Sequence, residues 1–446
     1  MKKVFPCILI ILMLFSGCGS SYLPFEESTT ESVNDNGFIF QTETSDAYAM
    51  LSCYNNSDSN DADNSVTASA ALPQANQQSP SGVTEGEFRG VWLSYYEIDV
   101  DSSTDTREKY AAYIDSLCRI FSQYGITDAF VQVRPYGDAL YKSSVYPTSV
   151  YAGVSQGEEP LFDQLEVICE VMGRYSVKVH AWVNPYRVHG SADINELCPA
   201  NKARQWYSAD SNADVAIVGG KIYFNPASER AMQLVVDGAR ELLMNYPVAG
   251  IHIDDYFYPP DCGDFDSAEY NNYLLQGGAL SLENWRRSNV NTLVASLYSA
   301  VKQCGENRVF SISPAGNINN NRTGLYADVA LWSRGGYADM IIPQIYFGFE
   351  HETHGFEKCM SDWYTLKGST VKMPVGLALY KSGTEDSFAG SGRYEWQQST
   401  DIITRQVKHI RDVGGDGFVI FSTDFFLRQS GTAKQELENL KQYLNR

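Results

Sequence analysis

Basic residues are scarce in this chain. It carries 34 lysines and arginines against 54 aspartates and glutamates, which gives a formal net charge of −20 at pH 7. A protein with this excess of acid is repelled by the phosphates of nucleic acid and by anionic lipid surfaces. We therefore expect no nucleic-acid partner. Neutral substrates remain open, as do acidic substrates that meet a local arginine.

Cysteine motifs for metal binding are also missing. Seven cysteines follow Cys18, and no two of them form a Cys-x-x-Cys pair. This scattering is typical neither of a zinc site nor of a dense disulfide framework. Cys118 and Cys169 lie in apolar helical patterns, so we predict that both are buried thiols. The sequence thus predicts no metal and no other cofactor.

The N-terminal apolar stretch, residues 4–15, is too short to span a bilayer as a permanent helix. It follows two lysines and leads into Ser-Gly-Cys at residues 16–18, which is typical of an export signal. Small residues before a cysteine resemble the bacterial lipobox, in which cleavage leaves Cys18 as a lipid-modified N-terminus. We predict a signal peptide over residues 1–17 and a lipid anchor in the cell envelope, on the extracytoplasmic side of a membrane. An ordinary secretory peptide with an incidental cysteine is the alternative.

No lysine or arginine occurs between Lys3 and Arg89, where Ser, Asn, Asp, Thr and Gln are abundant. Such a segment cannot bury enough apolar surface to offset the entropy that the chain loses on folding. We predict that residues 18–85 form a disordered tether. From residue 86 the composition changes to alternating apolar and amphipathic stretches, and we predict one domain over residues 86–446.

Eight short segments of this domain are rich in β-branched or aromatic residues and end at Pro, Gly or polar residues. We predict strands at residues 89–95, 128–134, 178–184, 250–254, 309–313, 340–347, 373–379 and 417–422. Amphipathic stretches between them predict helices, for example at 108–125, with Gly125 as the C-cap, and at 227–246. This alternation indicates parallel βαβ units and, at this length, a closed (β/α)8 barrel of the TIM type. A doubly wound open sheet is the alternative, but no glycine fingerprint opens the first crossover.

The active site of such a barrel lies at the carboxyl ends of its strands. Amides, imidazoles, carboxylates and aromatic rings occur at several of these ends. The candidate substrate contacts are Arg134, Asp138, His180, Trp182, Asn184, Tyr186, Arg187, His252, Tyr256, Gln344 and Tyr346. Aromatic rings stack on the C–H faces of sugars, whereas amides and carboxylates bind sugar hydroxyls. The set therefore indicates a glycan site, although His180, inside a strand, would equally serve as a hydrogen-bonded core histidine.

Glycosidic cleavage requires two carboxyl groups, one to protonate the leaving oxygen and one to act as nucleophile or to activate water. Asp254 and Asp255 end the fourth strand. Because neighbours on a strand point to opposite faces, we expect Asp254 to face the barrel mouth and Asp255 to be turned by the bend that follows. The second carboxylate then comes from a loop. Glu350 is our first choice, and Asp138 and Asp424 are the alternatives.

Six ordered segments resemble the glycosyl-hydrolase-like family 10 lipoproteins. They are FRGVWLSY, FVQVRPYGDALYKS, VHAWVNPYR, GIHIDDYFYP, SISPAG and IIPQIYFG. The resemblance covers nearly all of residues 86–446 and implies a glycosidase of bacterial wall glycan, in particular of peptidoglycan strands stripped of peptide. It implies that Asp254 and Asp255 match the family's paired aspartates. Residues 315–317 and Phe347 depart from the family pattern.

Two other functions fit the same residues. A metal-dependent carbohydrate deacetylase or amidase would use His180, His252 and Asp254 as ligands. The sequence offers no His-x-His and no His-x-x-x-His pair, the spacing of paired zinc ligands on a helix, to support it. A non-catalytic carbohydrate-binding barrel would hold glycan on the same rim without turnover. We expect a glycoside hydrolase.

Overall fold

The structure is a computed structural model that describes residues 86–259, 262–427 and 431–445. The predicted signal peptide, the lipidation site Cys18 and the predicted tether lie outside these residues. In the part of the chain that is described, no helix is long and apolar enough to cross a membrane.

The described residues form eleven strands, eight in a parallel sheet and three in a small antiparallel one. In chain order they are β1 (Phe88–Leu93), β2 (Asp128–Arg134), β3 (Lys178–Val183), β4 (Arg187–His189), β5 (Val215–Val218), β6 (Lys221–Phe224), β7 (Gly250–Ile253), β8 (Val309–Ile312), β9 (Met340–Ile341), β10 (Val375–Ala378) and β11 (Gly417–Phe421). The parallel sheet has the order β10-β11-β1-β2-β3-β7-β8-β9, and the antiparallel sheet has the order β4-β6-β5.

The two edges of the parallel sheet, β9 and β10, are joined by isolated bridges, so the sheet closes on itself. Met340 pairs with Lys372, and Gln344 pairs with Gly376. The Gly376 N–H donates to the carbonyl of Pro343 at 2.9 Å. The eight predicted strands and the (β/α)8 barrel are confirmed, and the open doubly wound sheet is excluded.

Helices separate the consecutive barrel strands and cover the sheet. They are α1 (Arg107–Tyr124), α2 (Gln164–Arg174), α3 (Lys202–Trp206), α4 (Glu229–Asn245), α5 (Ser267–Leu275), α6 (Leu282–Cys304), α7 (Ile318–Thr323), α8 (Val329–Arg334), α9 (Phe356–Thr365), α10 (Glu395–Gln398), α11 (Ile402–Asp412), α12 (Asp424–Leu427) and α13 (Gly431–Leu444).

Local chemistry fixes where α1 begins and ends. The side chain of Thr106 accepts a hydrogen bond from the Lys109 N–H and so caps the first turn. Gly125 adopts a left-handed φ of 64° at the end of the helix, and a Cβ there would come within 2.6 Å of the Arg89 guanidinium. Gly125 is therefore the helix C-cap, as predicted. The predicted thiols Cys118 and Cys169 are free and buried, which confirms that prediction as well.

The barrel interior is filled by aromatic and polar side chains from alternate positions of the strands. The Phe130 ring of β2 lies 4.8 Å from the His180 ring and 4.5 Å from the His252 ring, measured between centroids. His252 belongs to β7, which is not a neighbour of β2 in the sheet. Contact between these two strands is possible only across the interior, so the polar residues in register with His252 also point inward.

A buried ion pair fixes the segment that follows β7. Arg286 of α6 binds both carboxylate oxygens of Asp266, and both side chains are almost fully buried. The same guanidinium donates to the Tyr326 hydroxyl at 2.8 Å and to the carbonyl of Gly263 at 2.6 Å. Arg286 therefore holds the chain just after the barrel rim.

Replacing Asp266 with Asn should leave the Arg286 charge buried without its partner. Removal of one member of a buried ion pair costs about 3–5 kcal/mol, so the Asp266→Asn free energy of unfolding should fall by that amount in urea denaturation. The control is Asp362→Asn, which breaks the exposed pair with Lys358 and should cost under about 1 kcal/mol. Equal small losses in both variants would contradict the structural role of Arg286.

Candidate active site

Asp254 is the centre of a polar network at the carboxyl end of β7. Its side chain is 1% exposed. Its Oδ2 accepts hydrogen bonds from Trp182 Nε1 at 3.0 Å and from Asn184 Nδ2 at 2.6 Å. Its Oδ1 receives only a long contact, 3.4 Å, from the Tyr256 backbone N–H. Because two N–H donors already occupy Oδ2, Oδ1 is the oxygen that can hold a proton.

The pKa of Asp254 is raised to about 6 because burial disfavours the charged carboxylate. The positive charge of Arg187 and the hydrogen bonds from Trp182 and Asn184 act in the opposite direction. The group therefore exchanges its proton near neutral pH. That is the range in which a general acid or base works best.

The amide of Asn184 is oriented by a further residue inside the barrel. Gln132 Nε2 donates to Asn184 Oδ1 at 2.6 Å, and Gln132 Oε1 accepts from the Tyr95 N–H at 3.2 Å. With its oxygen bound in this way, Asn184 presents its NH2 group to Asp254. Sequence reasoning missed Gln132. The available signal was a polar residue among the apolar residues of β2, two positions before Arg134.

His252 lies in the barrel interior with both ring nitrogens occupied. Trp92 Nε1 donates to Nε2 at 3.1 Å, so Nε2 is an acceptor and the proton is assigned to Nδ1, which lies 2.9 Å from Ser311 Oγ. Ser313 Oγ lies 3.0 Å from Nε2. Burial lowers the pKa of His252 well below its usual range, so the ring is neutral. The sequence predicts a substrate contact here, whereas the structure uses both nitrogens to bind the barrel's own side chains.

His180 lies deeper in the barrel than the rim. It precedes Trp182 by two residues, which corresponds to about 7 Å along a strand. Its Nε2 lies 2.9 Å from Asp128 Oδ1, and both side chains are buried. The structure therefore places His180 in the core, one of the two predicted alternatives.

The ligand set of the metal-dependent alternative does not assemble. Both ring nitrogens of His252 contact the serines and Trp92, and His180 Nε2 pairs with Asp128. Over residues 86–259, 262–427 and 431–445, no group of three or more His, Cys, Asp or Glu side chains is arranged to hold a metal ion.

Arg187 stands at the rim between two tyrosine rings. Its guanidinium carbon lies 4.7 Å from the centroid of the Tyr136 ring and 4.4 Å from that of Tyr256. All three side chains are partly exposed. Arg187 begins β4 and is paired in register with Tyr223 of β6, so the antiparallel sheet holds it in place. Partly exposed aromatic faces and a cation thus border Asp254.

Three other predicted substrate contacts are buried within the protein. Arg134 is 1% exposed and donates to the carbonyls of Asn184 and Pro185, which fixes the backbone that carries the Asn184 amide. Asp138 is buried and accepts from Gln156. Tyr186 is fully buried in the hydrophobic core. Their burial was not predicted because it depends on packing against residues that are distant in sequence, which a local pattern does not report.

Gln344 and Tyr346 follow β9 on another side of the barrel. Gln344 Nε2 donates to the Ser313 carbonyl at 2.9 Å. The Tyr346 ring stacks on Phe421 with centroids 6.2 Å apart and meets Trp92 edge to face at 6.5 Å. Both side chains are buried. They form part of the aromatic wall of the interior.

The candidate second carboxylates differ in environment. Asp255 adjoins Asp254 in the chain and is 8% exposed. Glu350 is exposed, and its backbone N–H donates to Glu395 of α10 at 2.9 Å. Asp424 begins α12, where its N–H donates to Glu97. Of these carboxylates, Asp255 is the one that is both buried and next to Asp254 in sequence.

Glu97 is a buried carboxylate that sequence reasoning missed. It accepts from the Ser94 N–H at 2.7 Å and from Ser422 Oγ at 2.9 Å, which ties the end of β1 to the end of β11. Burial raises its pKa to about 7. The sequence signal was the spacing of Ser94 and Glu97, which is that of a capping box.

Comparison with known proteins gives one family. The glycosyl hydrolase-like 10 family model matches residues 87–389. The chain is 32% identical to the glycosyl hydrolase YngK of Bacillus subtilis (strain 168) over 325 residues, which cover 67% of this chain and 62% of that protein. It is 28% identical to the glycosyl hydrolase DigH of Escherichia coli (strain K12) over 350 residues, which cover 71% of this chain and 79% of that protein. The chain thus spans less than two thirds of the B. subtilis relative.

The fold is similar to that of the glycoside hydrolase domain of PgaB (BpsB) from Bordetella bronchiseptica. The TM-score is 0.53 at 13% sequence identity, and the match covers 79% of this chain and 99% of that domain. The similarity agrees with the closed barrel described above.

Proposed function

The chain belongs to the glycosyl hydrolase-like 10 family, and we propose that it is a glycoside hydrolase that cleaves glycosidic bonds of peptidoglycan strands. One observation carries the proposal: Asp254 is a buried carboxyl group whose pKa is raised to about 6, and Asp255 follows it directly. A proton-holding carboxyl group and a second carboxylate at a barrel mouth are the groups that glycosidic cleavage requires.

In the proposed mechanism Asp254 is the general acid. Its Oδ1 gives a proton to the glycosidic oxygen as the bond from that oxygen to the sugar carbon breaks. The carboxylate that remains is stabilised by the donors Trp182 and Asn184 on Oδ2. Because these donors are fixed before the reaction, little reorganisation is needed when the charge develops.

Asp255 is the proposed second carboxylate, which attacks the sugar carbon or activates water. Glu350 is the alternative. Comparing the cleavage rates of Asp255→Asn and Glu350→Gln separates the two, because the variant that lacks the second carboxylate should be the slower one. The partly exposed rings of Tyr136 and Tyr256 offer flat faces on which sugar rings stack.

The proposed substrate and location support each other. Peptidoglycan is the glycan implied by the six sequence segments, and an export signal would bring the enzyme to it. We propose that Cys18 carries a lipid that anchors the chain to a membrane on its extracytoplasmic side. Residues 18–85 would then be the tether between the anchor and the barrel.

Removal of the general acid should slow product formation strongly. Full-length protein is incubated with peptidoglycan sacculi and with peptide-free strands, and products are identified by mass spectrometry. Wild type should release muro-oligosaccharides, and Asp254→Asn should be slower by about 10²–10⁴-fold because an amide cannot supply the proton. Asp237→Asn, exposed on α4, should keep the wild-type rate.

Two outcomes of this experiment would contradict the proposal. An Asp254→Asn variant as fast as wild type would show that Asp254 is not the acid. Wild-type protein that binds the strands without releasing products would favour the non-catalytic carbohydrate-binding barrel.

The activity should depend on pH in a defined direction. Since the protonated form of Asp254 is required, kcat/KM should fall as pH rises through about 6. Asn184→Ala removes a donor that stabilises the carboxylate, so the pKa of Asp254 should rise and the fall should move about one unit to higher pH. Asn289→Ala, which removes a donor to the Tyr258 hydroxyl instead, should leave the profile unmoved. A rate that rises through pH 6 would instead make Asp254 a base or nucleophile.

Anchoring should depend on one cysteine. In a bacterial host, wild-type protein should partition into the detergent phase after extraction with Triton X-114, and Cys18→Ser should move it to the aqueous phase. Cys53→Ser, in the predicted tether, is the matched control and should partition like wild type. Detergent partitioning of the Cys18→Ser variant would refute lipidation at this position.

A further inference from the structure

Arg187 is a cation without a counter-ion in an acidic protein. Most arginines in the described part of the chain pair with carboxylates, as Arg286 does with Asp266. No carboxylate oxygen of the described residues lies within 4.0 Å of the Arg187 guanidinium. Asp254 acts on it only through the longer-range electrostatic interaction. The positive charge is therefore not neutralised by a direct ion pair.

The surroundings of Arg187 leave its hydrogen-bonding edge open. The rings of Tyr136 and Tyr256 stack on the Arg187 guanidinium, with centroids 4.7 and 4.4 Å from its central carbon. Stacking uses the faces of the planar group, whereas its five N–H donors point outward within its plane. Among the described residues no acceptor engages these donors. A planar carboxylate is the anion that such a donor edge binds in bidentate fashion.

The position of Arg187 is fixed before any ligand arrives. Backbone pairing with Tyr223 anchors its main chain in the antiparallel sheet. Tyr136, one of its two stacking partners, packs edge to face on Tyr95 with ring centroids 5.8 Å apart. A side chain held in this way loses little conformational entropy on binding.

We propose that Arg187 binds a carboxylate carried by a sugar next to the bond that is cleaved. The inference rests on the proposed function and narrows its substrate to an acidic glycan. In peptidoglycan the lactyl carboxylate of muramic acid is a free anion only where the peptide has been removed, because the peptide is joined to it through a neutral amide. Arg187 thus selects peptide-free strands by charge.

The substrate's own charge makes Arg187 necessary. The chain carries a net charge of −20, so the protein as a whole repels an anionic glycan. Arg187 supplies the opposite charge close enough to Asp254 to act on it electrostatically. Its charge also acts on Asp254, so the test has to separate binding of the substrate from tuning of the acid.

Measuring wild type and Arg187→Gln on two substrates separates binding of the substrate from tuning of the acid. The substrates are peptide-free glycan strands and the same strands with the lactyl carboxylates converted to methyl amides. Wild type should lose roughly 10- to 100-fold in kcat/KM on the neutral strands, the range of a charge-assisted hydrogen bond. Arg187→Gln should be slow on both substrates at equal rates, and Arg187→Lys should keep part of the preference. Arg230→Gln removes an arginine that stacks on Trp206 at 4.0 Å and should keep the wild-type ratio.

The affinity of the Asp254→Asn variant for both strands, measured by calorimetry, tests the same preference without turnover. Weaker binding of the neutral strands supports the proposal even if no product forms, and absence of products from wild type counts against the proposed function alone. The proposal is overturned if wild type treats both strands equally. It is also overturned if Arg187→Gln lowers both rates by one factor and keeps the wild-type ratio, since Arg187 would then act only through Asp254.

Discussion

The burial of Asp254 between Trp182 and Asn184 is the constraint on which the rest of the site depends. The pKa of a free aspartate is near 4, whereas burial in the barrel raises the pKa of Asp254 to about 6. The three side chains come from or follow two neighbouring strands, β3 and β7. The amide that orients Asn184 comes from a third strand, β2. The arrangement exists only where β2, β3 and β7 lie side by side in the sheet, so fold and chemistry are linked through one hydrogen-bonded carboxylate.

Below the rim, hydrogen bonds to other side chains hold the two histidines of the interior in place. His180 pairs with Asp128, and His252 contacts Ser311, Ser313 and Trp92. Buried polar groups that find partners in this way add specificity to a core, whereas an unpaired one would destabilise it. The two histidines therefore form the layer of the barrel interior directly below Asp254. Above that layer the rim carries partly exposed aromatic rings and a cation, groups that can contact a ligand.

The sequence predicted the barrel well because its signals are local. Strand composition, helix periodicity and the Gly125 C-cap each report on a few neighbouring residues. The small sheet of β4, β5 and β6 was not predicted, although Gly219 and Gly220, both with positive φ, mark the hairpin turn between β5 and β6. The burial of individual side chains and the contacts between distant residues were harder to predict. The full burial of Tyr186 and the exposure of Glu350 depend on residues far away in the chain, such as Glu395, and no local pattern reports them.

The most direct test of this account is a titration of the Asp254 carboxyl group. Aspartate labelled with ¹³C at the side-chain carboxyl would be incorporated, and the Asp254 signal would be assigned by its absence from the Asp254→Asn spectrum. The account predicts a midpoint near pH 6, the value that burial gives this group. A midpoint near pH 4, that of a solvated aspartate, would contradict it, because the barrel would then leave Asp254 charged and without a proton to give.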